Sequence, residues 1–327
     1  MNWAGRPVLV TGAGGFIGSH LVEQLVNAGA RVRALVHYNA LGMRGWLEEV
    51  ATGDAVEVVL GDVADSDSLD SAMRDCDVVF HLAALIGIPY SYVAPAQYVR
   101  SNVIGTLNVL QAARRSPVAR VVHTSTSEVY GTAQYTPMDE RHPLAAQSPY
   151  AATKTGADQL ATAFFRTYGT PVTIVRPFNT YGPRQSTRAI VPTIITQALA
   201  GASIGLGNLD TARDLTFVLD TVKGFILAAE ADDAVGKTIN IGSGREVTIR
   251  ELAELICSIV GRPCEIEVMA ERIRPTGSEV RRLVADSTLA RTSLGWRPER
   301  TLEEGLKGTI EWFQSRGHVP RVGRYAV

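Results

Sequence analysis

Short apolar runs rich in β-branched residues recur along the first half of the chain, and segments with helical spacing separate them. The runs lie at 7–11, 31–36, 56–61, 77–83, 119–125 and 171–177. Between them, apolar residues recur with helical period, as from Ile17 to Val26 and from Val103 to Ala113. Strands that alternate with helices indicate βαβ crossovers, and therefore a parallel sheet with helices on both faces. We predict a doubly wound α/β domain.

The charge balance argues against nucleic acid or an anionic membrane as partner. The 32 basic and 33 acidic residues are mixed along the 327-residue chain, with a formal net charge of -1 and no basic stripe. The three cysteines, Cys76, Cys257 and Cys264, lack the spacing of a zinc site or a disulfide framework. The N-terminal residues lead directly into the first strand, and no apolar run is long enough to span a membrane. We expect a cytoplasmic protein with a small-molecule partner and no bound metal.

A glycine-rich turn follows the first apolar run. The sequence TGAGGFIGSHL places Gly12, Gly15 and Gly18 at a regular spacing directly before a helical pattern. Glycines let the backbone turn tightly and approach a pyrophosphate, which then lies at the positive end of the helix. The alternative is a tight turn that binds nothing, but the position between strand and helix favours a dinucleotide site of Rossmann type. Phe16 and Ile17 complete this predicted cofactor loop.

The composition changes after Pro177. Segments rich in glycine, proline, arginine and threonine follow, although a strand pattern returns at 237–243 and a helical pattern at 250–260. We predict a dinucleotide-binding domain over 1–177, to which 214–243 returns, and a smaller interleaved C-terminal lobe over 178–327 that mainly binds substrate. No linker separates the two parts, so they are expected to share an interface and a cleft.

Three further strand ends are predicted to contact the cofactor. An acidic residue at the end of the second strand would hold the 2′-hydroxyl of NAD, but His37 and Asn39 stand there instead. The cofactor is expected to be NAD, and charge does not exclude NADP. The ends of the third and fourth strands would flank adenine and its ribose, although Asp62 has a second interpretation as a helix cap. The residues at those two ends are Asp62, Val63, Leu82, Ala83 and Ala84.

A tyrosine and a lysine one helical turn apart are the main catalytic candidates. In SPYAATKTG, Ser148 is the predicted N-cap and Pro149 takes the first helical position, so Tyr150 and Lys154 share a face. A nearby cation lowers the pKa of a phenol, which would let Tyr150 take a proton near neutral pH. Such a pair is usually an ordinary surface pair, but here it follows a glycine loop and a strand that ends in hydroxyl residues.

With these motifs the sequence resembles the extended short-chain dehydrogenase/reductase family, in particular its nucleotide-sugar epimerases and dehydratases. The resemblance covers nearly the whole chain, at TGAGGFIG (11–18), HLAA (81–84), YAATK (150–154), RPFNTYGPRQ (176–185), RDLTFVLD (213–220), NIGSG (240–244) and LGWRP (294–298). It implies that Thr126 is the hydroxyl partner of Tyr150 and that Lys154 also holds the nicotinamide ribose. It implies a diphosphate site at Arg213 and Arg274, because guanidinium groups form charged hydrogen bonds with phosphate. It also implies cofactor contact by Asn102 and substrate contacts by Ser127, Asn179, Arg184, Val191, Arg213 and Arg274.

Glu128 distinguishes the activities that this family covers. Oxidation of a sugar at C4 makes the C5 proton acidic, so an enzyme that then eliminates water from C5 and C6 needs a base near C5. Family members with 4,6-dehydratase activity carry Thr-Asp-Glu or Thr-Ser-Glu here, and this chain has Thr126, Ser127 and Glu128. The resemblance therefore implies a 4,6-dehydratase in which hydride returns to C6. Because Ser127 replaces the Asp that protonates the leaving hydroxyl, the general acid is either Glu128 itself or a water.

Longer stretches, among them RALVHYNA and HLAALIGIPYSYVAP, are similar to NAD-dependent 4,6-dehydratases of legionaminic acid biosynthesis. This implies a nucleotide-diphospho-N-acetylglucosamine as substrate, with GDP as the favoured nucleotide. Three alternatives stay open: a 4-epimerase, a UDP-glucuronate decarboxylase, and a NAD(P)-binding sensor without turnover. Family members commonly pair the helices that follow Ser101 and Ser148, which implies a homodimer.

Overall fold

The computed structural model describes residues 1–50, 53–201 and 203–316. Its strands are β1 (Pro7–Thr11), β2 (Arg31–His37), β3 (Val56–Gly61), β4 (Val78–His81), β5 (Arg120–Thr124), β6 (Val172–Pro177), β7 (Asn179–Tyr181), β8 (Ile204–Leu206), β9 (Ala212–Phe217), β10 (Thr238–Ile241), β11 (Glu246–Thr248), β12 (Ile266–Val268) and β13 (Arg282–Leu283). Its α-helices are α1 (Phe16–Asn27), α2 (Ser66–Met73), α3 (Ile88–Val93), α4 (Pro95–Tyr98), α5 (Gly105–Arg115), α6 (Pro149–Tyr168), α7 (Ile190–Ala200), α8 (Val218–Glu230), α9 (Ile249–Val260), α10 (Thr288–Leu294) and α11 (Leu302–Ser315).

Seven parallel strands form the main sheet, in the order β10-β6-β5-β4-β1-β2-β3. The six runs predicted as strands in the first half of the chain are all present, so the predicted α/β fold is confirmed. The second half contributes β10, which lies inside the predicted 237–243 and pairs with β6, Thr238 opposite Ile174. The domain boundary at 177 stays a prediction.

Strand side chains alternate between two hydrophobic layers. In β1, Val8 and Val10 join the layer that contains α1 and α8, whereas Leu9 joins the layer that contains α2, α5 and α6. All three side chains are fully buried. Because helices cover both faces of the sheet, each β1 position between its ends must be apolar, which explains the uninterrupted apolar run.

The smaller lobe joins the carboxyl edge of the main sheet directly. Only Phe178 separates β6 from β7, and β7 pairs with β9, which also pairs with β11 and β13. A separate two-stranded sheet joins β8 to β12. The carboxyl ends of the parallel strands therefore face residues of the smaller lobe. Ligands bind at these ends in open α/β sheets.

Helix α6 begins and ends as its local sequence predicts. Ser148 is the N-cap, since its Oγ accepts a hydrogen bond from the Ala151 N–H at 3.1 Å, and Pro149 is the first helical residue. Gly169 ends the helix in the left-handed conformation, with φ of 67°. Tyr150 and Lys154 therefore lie in the first turns of α6. Among the described residues, no helix is long and apolar enough to cross a membrane.

Candidate active site

The glycine loop packs so closely that side chains have no space in it. Gly12 has φ of 70°, and a Cβ there would lie 2.8 Å from the backbone nitrogen of Ala83. A Cβ on Gly18 would lie 2.2 Å from the carbonyl oxygen of Gly12. Gly15 precedes α1, and no side chain of the described residues caps that helix, so its first N–H groups are left for a ligand. This cradle fits the pyrophosphate of a dinucleotide, which supports the cofactor role predicted for the loop and for Phe16 and Ile17.

The residues predicted at the end of β4 are tied to β1. The backbone N–H groups of Leu82 and Ala83 donate to Thr11 Oγ1 at 3.2 and 3.1 Å. Ala84 follows them and is half-buried. These contacts bring the end of β4 directly against the glycine loop, and its predicted place beside adenine and its ribose stays a prediction.

The residues predicted beside the adenosine lie at the ends of β2 and β3. Asp62 Oδ1 accepts a hydrogen bond from the Ala64 N–H at 2.9 Å and closes a tight turn. The cap of α2 is Asp65, so the interpretation of Asp62 as a helix cap was wrong. Val63 is buried, and the His37 side chain is exposed at the end of β2. Their contacts with the cofactor stay predictions.

Two predicted cofactor residues use their side-chain amides within the protein. Asn39 Oδ1 accepts from the Met43 N–H at 3.0 Å, and its Nδ2 donates to the Met43 carbonyl at 2.8 Å. Asn102 Oδ1 accepts from the Leu85 N–H at 2.9 Å, and its Nδ2 donates to Thr153 Oγ1 at 3.0 Å. Asn39 thus shapes the loop after β2, and Asn102 ties the loop after β4 to α6. Each side chain acts on the site by holding backbone in place.

Thr126, Tyr150 and Lys154 come together where β5 ends beside α6. Thr126 and Tyr150 are both buried, and the Thr126 hydroxyl acts to lower the pKa of the Tyr150 phenol. Lys154 Nζ donates to the carbonyl oxygen of Thr124, the last residue of β5, at 2.5 Å. The three residues predicted for hydride chemistry therefore form one buried group.

The electrostatics of this group differ from the prediction that Lys154 lowers the pKa of the phenol. Burial raises the pKa of Tyr150, the Thr126 hydrogen bond opposes the rise, and the Glu128 carboxylate adds to it. Burial also lowers the pKa of Lys154 to about 8, against the raising effect of Asp158. Desolvation dominates because both groups are enclosed by protein, which the spacing of two residues on a helix does not reveal.

Glu128 acts electrostatically on both the redox group of Thr126, Tyr150 and Lys154 and the predicted diphosphate site. It belongs to a 3-10 helix, Ser127–Tyr130, that follows β5, and its backbone N–H donates to Thr126 Oγ1 at 3.2 Å. The side chains of Ser127 and Glu128 are buried. The Glu128 carboxylate raises the pKa of Tyr150 and also that of Arg213. One buried carboxylate is thus within electrostatic reach of both groups.

The two predicted diphosphate arginines meet at an acidic residue that the sequence analysis missed. Arg213 Nη2 lies 3.6 Å from Glu279 Oε1, and Arg274 Nη1 lies 3.7 Å from the same oxygen. Burial lowers the pKa of Arg213, and the nearby Glu128 opposes this. The only sequence signal for Glu279 is its position shortly after Arg274, in RPTGSE.

Three other predicted substrate residues have different outcomes. Arg184 donates from Nη2 to Glu23 Oε2 on α1 at 3.0 Å, and its contact with the substrate stays a prediction. Val191 is on α7, and its side chain is packed in the hydrophobic core of the protein. Only its backbone could therefore meet a ligand. Asn179 Oδ1 is buried and, within the described part of the chain, has no hydrogen-bond partner. An unpaired buried acceptor fits a site for a hydroxyl-rich ligand.

Comparisons with known proteins agree with this arrangement. The family described as GDP-mannose 4,6 dehydratase matches residues 9–309. A dTDP-glucose 4,6-dehydratase of Streptomyces antibioticus is 36% identical over 312 residues, covering 94% of this chain and 92% of that protein. A UDP-glucose 4-epimerase of Mycolicibacterium smegmatis is also 36% identical, covering 94% of this chain and 98% of that protein.

Solved structures show the same fold. DesIV, a dTDP-glucose 4,6-dehydratase of Streptomyces venezuelae solved with NAD and TYD bound, superposes with a TM-score of 0.88 at 33% identity, covering 95% of this chain and 98% of that one. Family match, relatives and fold agree over nearly the whole length. The chain belongs to the nucleotide-sugar epimerase/dehydratase group of the short-chain dehydrogenase/reductase family.

Proposed function

We propose that this protein is a NAD-dependent nucleotide-sugar 4,6-dehydratase that converts an NDP-N-acetylglucosamine, with GDP favoured, into the 4-keto-6-deoxy sugar. The observation that carries the proposal is the buried Glu128 carboxylate beside Tyr150 and Arg213. Thr126, Tyr150 and Lys154 are sufficient for oxidation at C4, whereas a second buried carboxylate next to them supplies the base that elimination needs.

The glycine loop and Lys154 would hold the cofactor, and NAD is supported by its presence in DesIV. Bound there, NAD would supply the hydride acceptor for oxidation at C4 and the hydride donor for C6. Tyr150, as the phenolate, takes the proton of the C4 hydroxyl, and Thr126 opposes the rise that burial causes in the pKa of the phenol. Lys154, fixed to the end of β5, places a positive charge in the same buried space.

Glu128 performs the second half of the reaction. Once C4 is a ketone, the carboxylate removes the C5 proton, the C5–C6 double bond forms, and the C6 hydroxyl leaves as water. We assign the proton of that water to the newly protonated Glu128, because the hydroxyl of Ser127 is a much weaker acid than a carboxyl. A proton that returns from the solvent, together with hydride at C6, completes the 4-keto-6-deoxy product.

The substrate class rests on charge and on sequence similarity. Arg213 and Arg274 carry the positive charges that a diphosphate requires, and the unpaired acceptor of Asn179 suits a sugar hydroxyl. The N-acetylglucosamine and GDP assignments are supported by the similarity of RALVHYNA and HLAALIGIPYSYVAP to dehydratases of legionaminic acid biosynthesis.

A 4-epimerase is the second candidate. It is favoured by the M. smegmatis relative and by a redox group that needs no further residue to invert C4. In that reaction Glu128 would have no proton to move, which leaves its burial beside Tyr150 without a chemical reason.

One incubation distinguishes the candidates. Purified protein is mixed separately with GDP-N-acetylglucosamine, UDP-N-acetylglucosamine, dTDP-glucose and UDP-glucuronate, and products are analysed by mass spectrometry and NMR. We expect the loss of one water, fastest with GDP-N-acetylglucosamine. An unchanged mass with C4 inverted would replace the proposal by epimerisation. Loss of carbon dioxide from the uronate would replace it by decarboxylation, and absence of turnover with all four would favour a sensor.

We also propose a cytoplasmic homodimer formed through the segment before α5 and through α6. Val99 and Ile104, on the π-helix Val99–Ile104 that leads into α5, are 47% and 40% exposed although apolar. Such side chains gain stability when a second copy covers them. Size-exclusion chromatography with light scattering would report a single species of monomer mass if the proposal is wrong.

A further inference from the structure

Three buried side chains connect α6, which carries Tyr150 and Lys154, to the 3-10 helix that carries Glu128. Arg176, on β6, donates from Nε and Nη2 to Asp158 Oδ2 at 3.0 and 2.9 Å, and from Nη1 to the Tyr130 hydroxyl at 2.9 Å. The three residues are nearly inaccessible to solvent, with exposed fractions of 4%, 1% and 0% for Arg176, Asp158 and Tyr130. The Arg176 guanidinium also lies over the Tyr130 ring, 4.8 Å from its centroid.

Each end of this chain of contacts belongs to a different part of the proposed mechanism. Asp158 lies one helical turn beyond Lys154 on α6, the helix that also carries Tyr150. Tyr130 is the last residue of the 3-10 helix Ser127–Tyr130, which carries Glu128. Arg176 therefore joins the helix that acts at C4 of the sugar to the short helix that acts at C5.

Further buried contacts restrain both ends. The Tyr130 hydroxyl donates to Asn240 Oδ1, on β10, at 2.8 Å. Asp158 Oδ2 also accepts from Ser125 Oγ at 2.7 Å. The link is thus attached to β6, β10 and the end of β5, all of which belong to the rigid main sheet.

We infer that Arg176 and Tyr130 are positioning residues, which set the place of Glu128 relative to Tyr150 and thereby decide whether elimination follows oxidation. This inference rests on the proposed dehydratase function. The two groups act on neighbouring carbons of one bound sugar, and proton transfer needs the base within hydrogen-bond reach of its proton. A displacement of about 1 Å lowers a rate by about a hundredfold. The Glu128 helix has only four residues, and its last residue, Tyr130, is held by Arg176 and Asn240.

The substitution Tyr130→Phe tests this directly, because it removes the hydroxyl that joins Arg176 to Asn240 and keeps the ring in the core. Each variant is incubated with the nucleotide sugar of the panel that wild type dehydrates. Absorbance of the reduced nicotinamide and mass spectrometry of the product are followed together. We expect product formation to fall about tenfold or more while C4 oxidation continues, so that reduced cofactor and 4-keto sugar accumulate.

The matched control is Ser125→Ala, which deletes another buried hydroxyl of the same network, on the side of Lys154 rather than of Glu128. It is expected to lower the overall rate without accumulation of reduced cofactor, since any effect falls on the redox group. Asn240→Ser is the second variant for the Glu128 side, because it keeps the Tyr130 hydroxyl but shortens its partner. Thermal unfolding of all variants shows whether the fold is retained.

The outcomes separate this inference from the proposed function. Accumulation of reduced cofactor in Tyr130→Phe or Asn240→Ser, but not in Ser125→Ala, supports it. An unchanged ratio of oxidation to elimination in both Glu128-side variants overturns it while leaving the dehydratase function intact. If product formation falls equally in all three variants, in proportion to their loss of thermal stability, the network is merely structural. That result also overturns the inference. Absence of dehydration in wild type overturns the proposed function and this inference together.

Discussion

Replacing Glu128 by Gln separates the two halves of the proposed reaction more cleanly than any other single change. Gln has the size of Glu and keeps the backbone N–H that donates to Thr126. It cannot take a proton from C5. Because Glu128 raises the pKa of Tyr150, its neutralisation lowers that pKa, so the phenol accepts charge more readily and C4 oxidation should not slow.

The size of the effect follows from the role. A positioned general base contributes about 10²- to 10⁴-fold in rate, which is roughly 3–5 kcal/mol of activation free energy. Binding should change in the opposite direction. Glu128 and Glu279 balance Arg213 and Arg274 in the native cluster, so Gln leaves a net positive charge where the diphosphate is proposed to bind. We expect kcat to fall and KM to stay equal or decrease.

The assay mixes substrate with cofactor-loaded Glu128→Gln protein and records reduced nicotinamide by absorbance and product by mass spectrometry. We expect rapid reduction of the cofactor and almost no loss of water. Glu279→Gln is the matched control, because it removes the same charge beside Arg213 and is not among the groups that mainly shift the pKa of Tyr150. Its ratio of elimination to oxidation should equal that of wild type. Dehydration by Glu128→Gln within a fewfold of wild type would refute the assignment of the C5 base.

Three further results are expected. Gly18→Ala should abolish NAD binding measured by calorimetry, since its Cβ would lie 2.2 Å from the Gly12 carbonyl oxygen. Ser127→Ala should keep the dehydration rate within a fewfold, because Glu128 supplies the proton; a loss of more than about tenfold would assign an acid–base role to Ser127. Burial lowers the pKa of His20 to about 4, so the unfolded chain takes up a proton below pH 6.5 that folded His20 does not, and stability falls from there to pH 4. His20→Gln should remove up to about 3 kcal/mol of that fall, measured by urea unfolding at pH 7.5 and pH 4.5.

The parts of the fold that depend on local sequence were predictable. The apolar runs predicted the strands correctly, because helices cover both faces of the sheet and strand residues there must be apolar. Ser148 and Pro149 predicted the start of α6, because a helix cap involves residues that are neighbours in sequence. The roles of the residues at the end of β5 were predicted from the resemblance to the family. Residues that meet there from distant segments, such as Thr126 and Tyr150, could be paired only through family motifs.

Burial and long-range contacts explain the errors. The spacing of Tyr150 and Lys154 is visible in the sequence, but their desolvation is not, and desolvation decides the direction of both pKa shifts. The ion pair between Arg184 and Glu23 on α1 also joins distant segments, so the motif around Arg184 does not indicate it. Glu279 could not be placed because nothing local indicates that a loop residue reaches Arg213.

The redox group and the elimination base occupy separate structural units, which explains how one scaffold can support related reactions. Consecutive residues at the end of β5 act on three positions of α6: the Thr124 carbonyl accepts from Lys154, Ser125 donates to Asp158, and Thr126 lowers the pKa of Tyr150. In the proposed mechanism this junction performs the chemistry at C4, while Glu128 acts on it only through the pKa of Tyr150 and a backbone N–H. The short helix after it adds one carboxylate and is joined to the junction through the buried Arg176. In the proposed mechanism the choice between inversion at C4 and elimination at C5 and C6 therefore depends on one side chain, and its replacement by Gln is expected to leave the preceding oxidation intact.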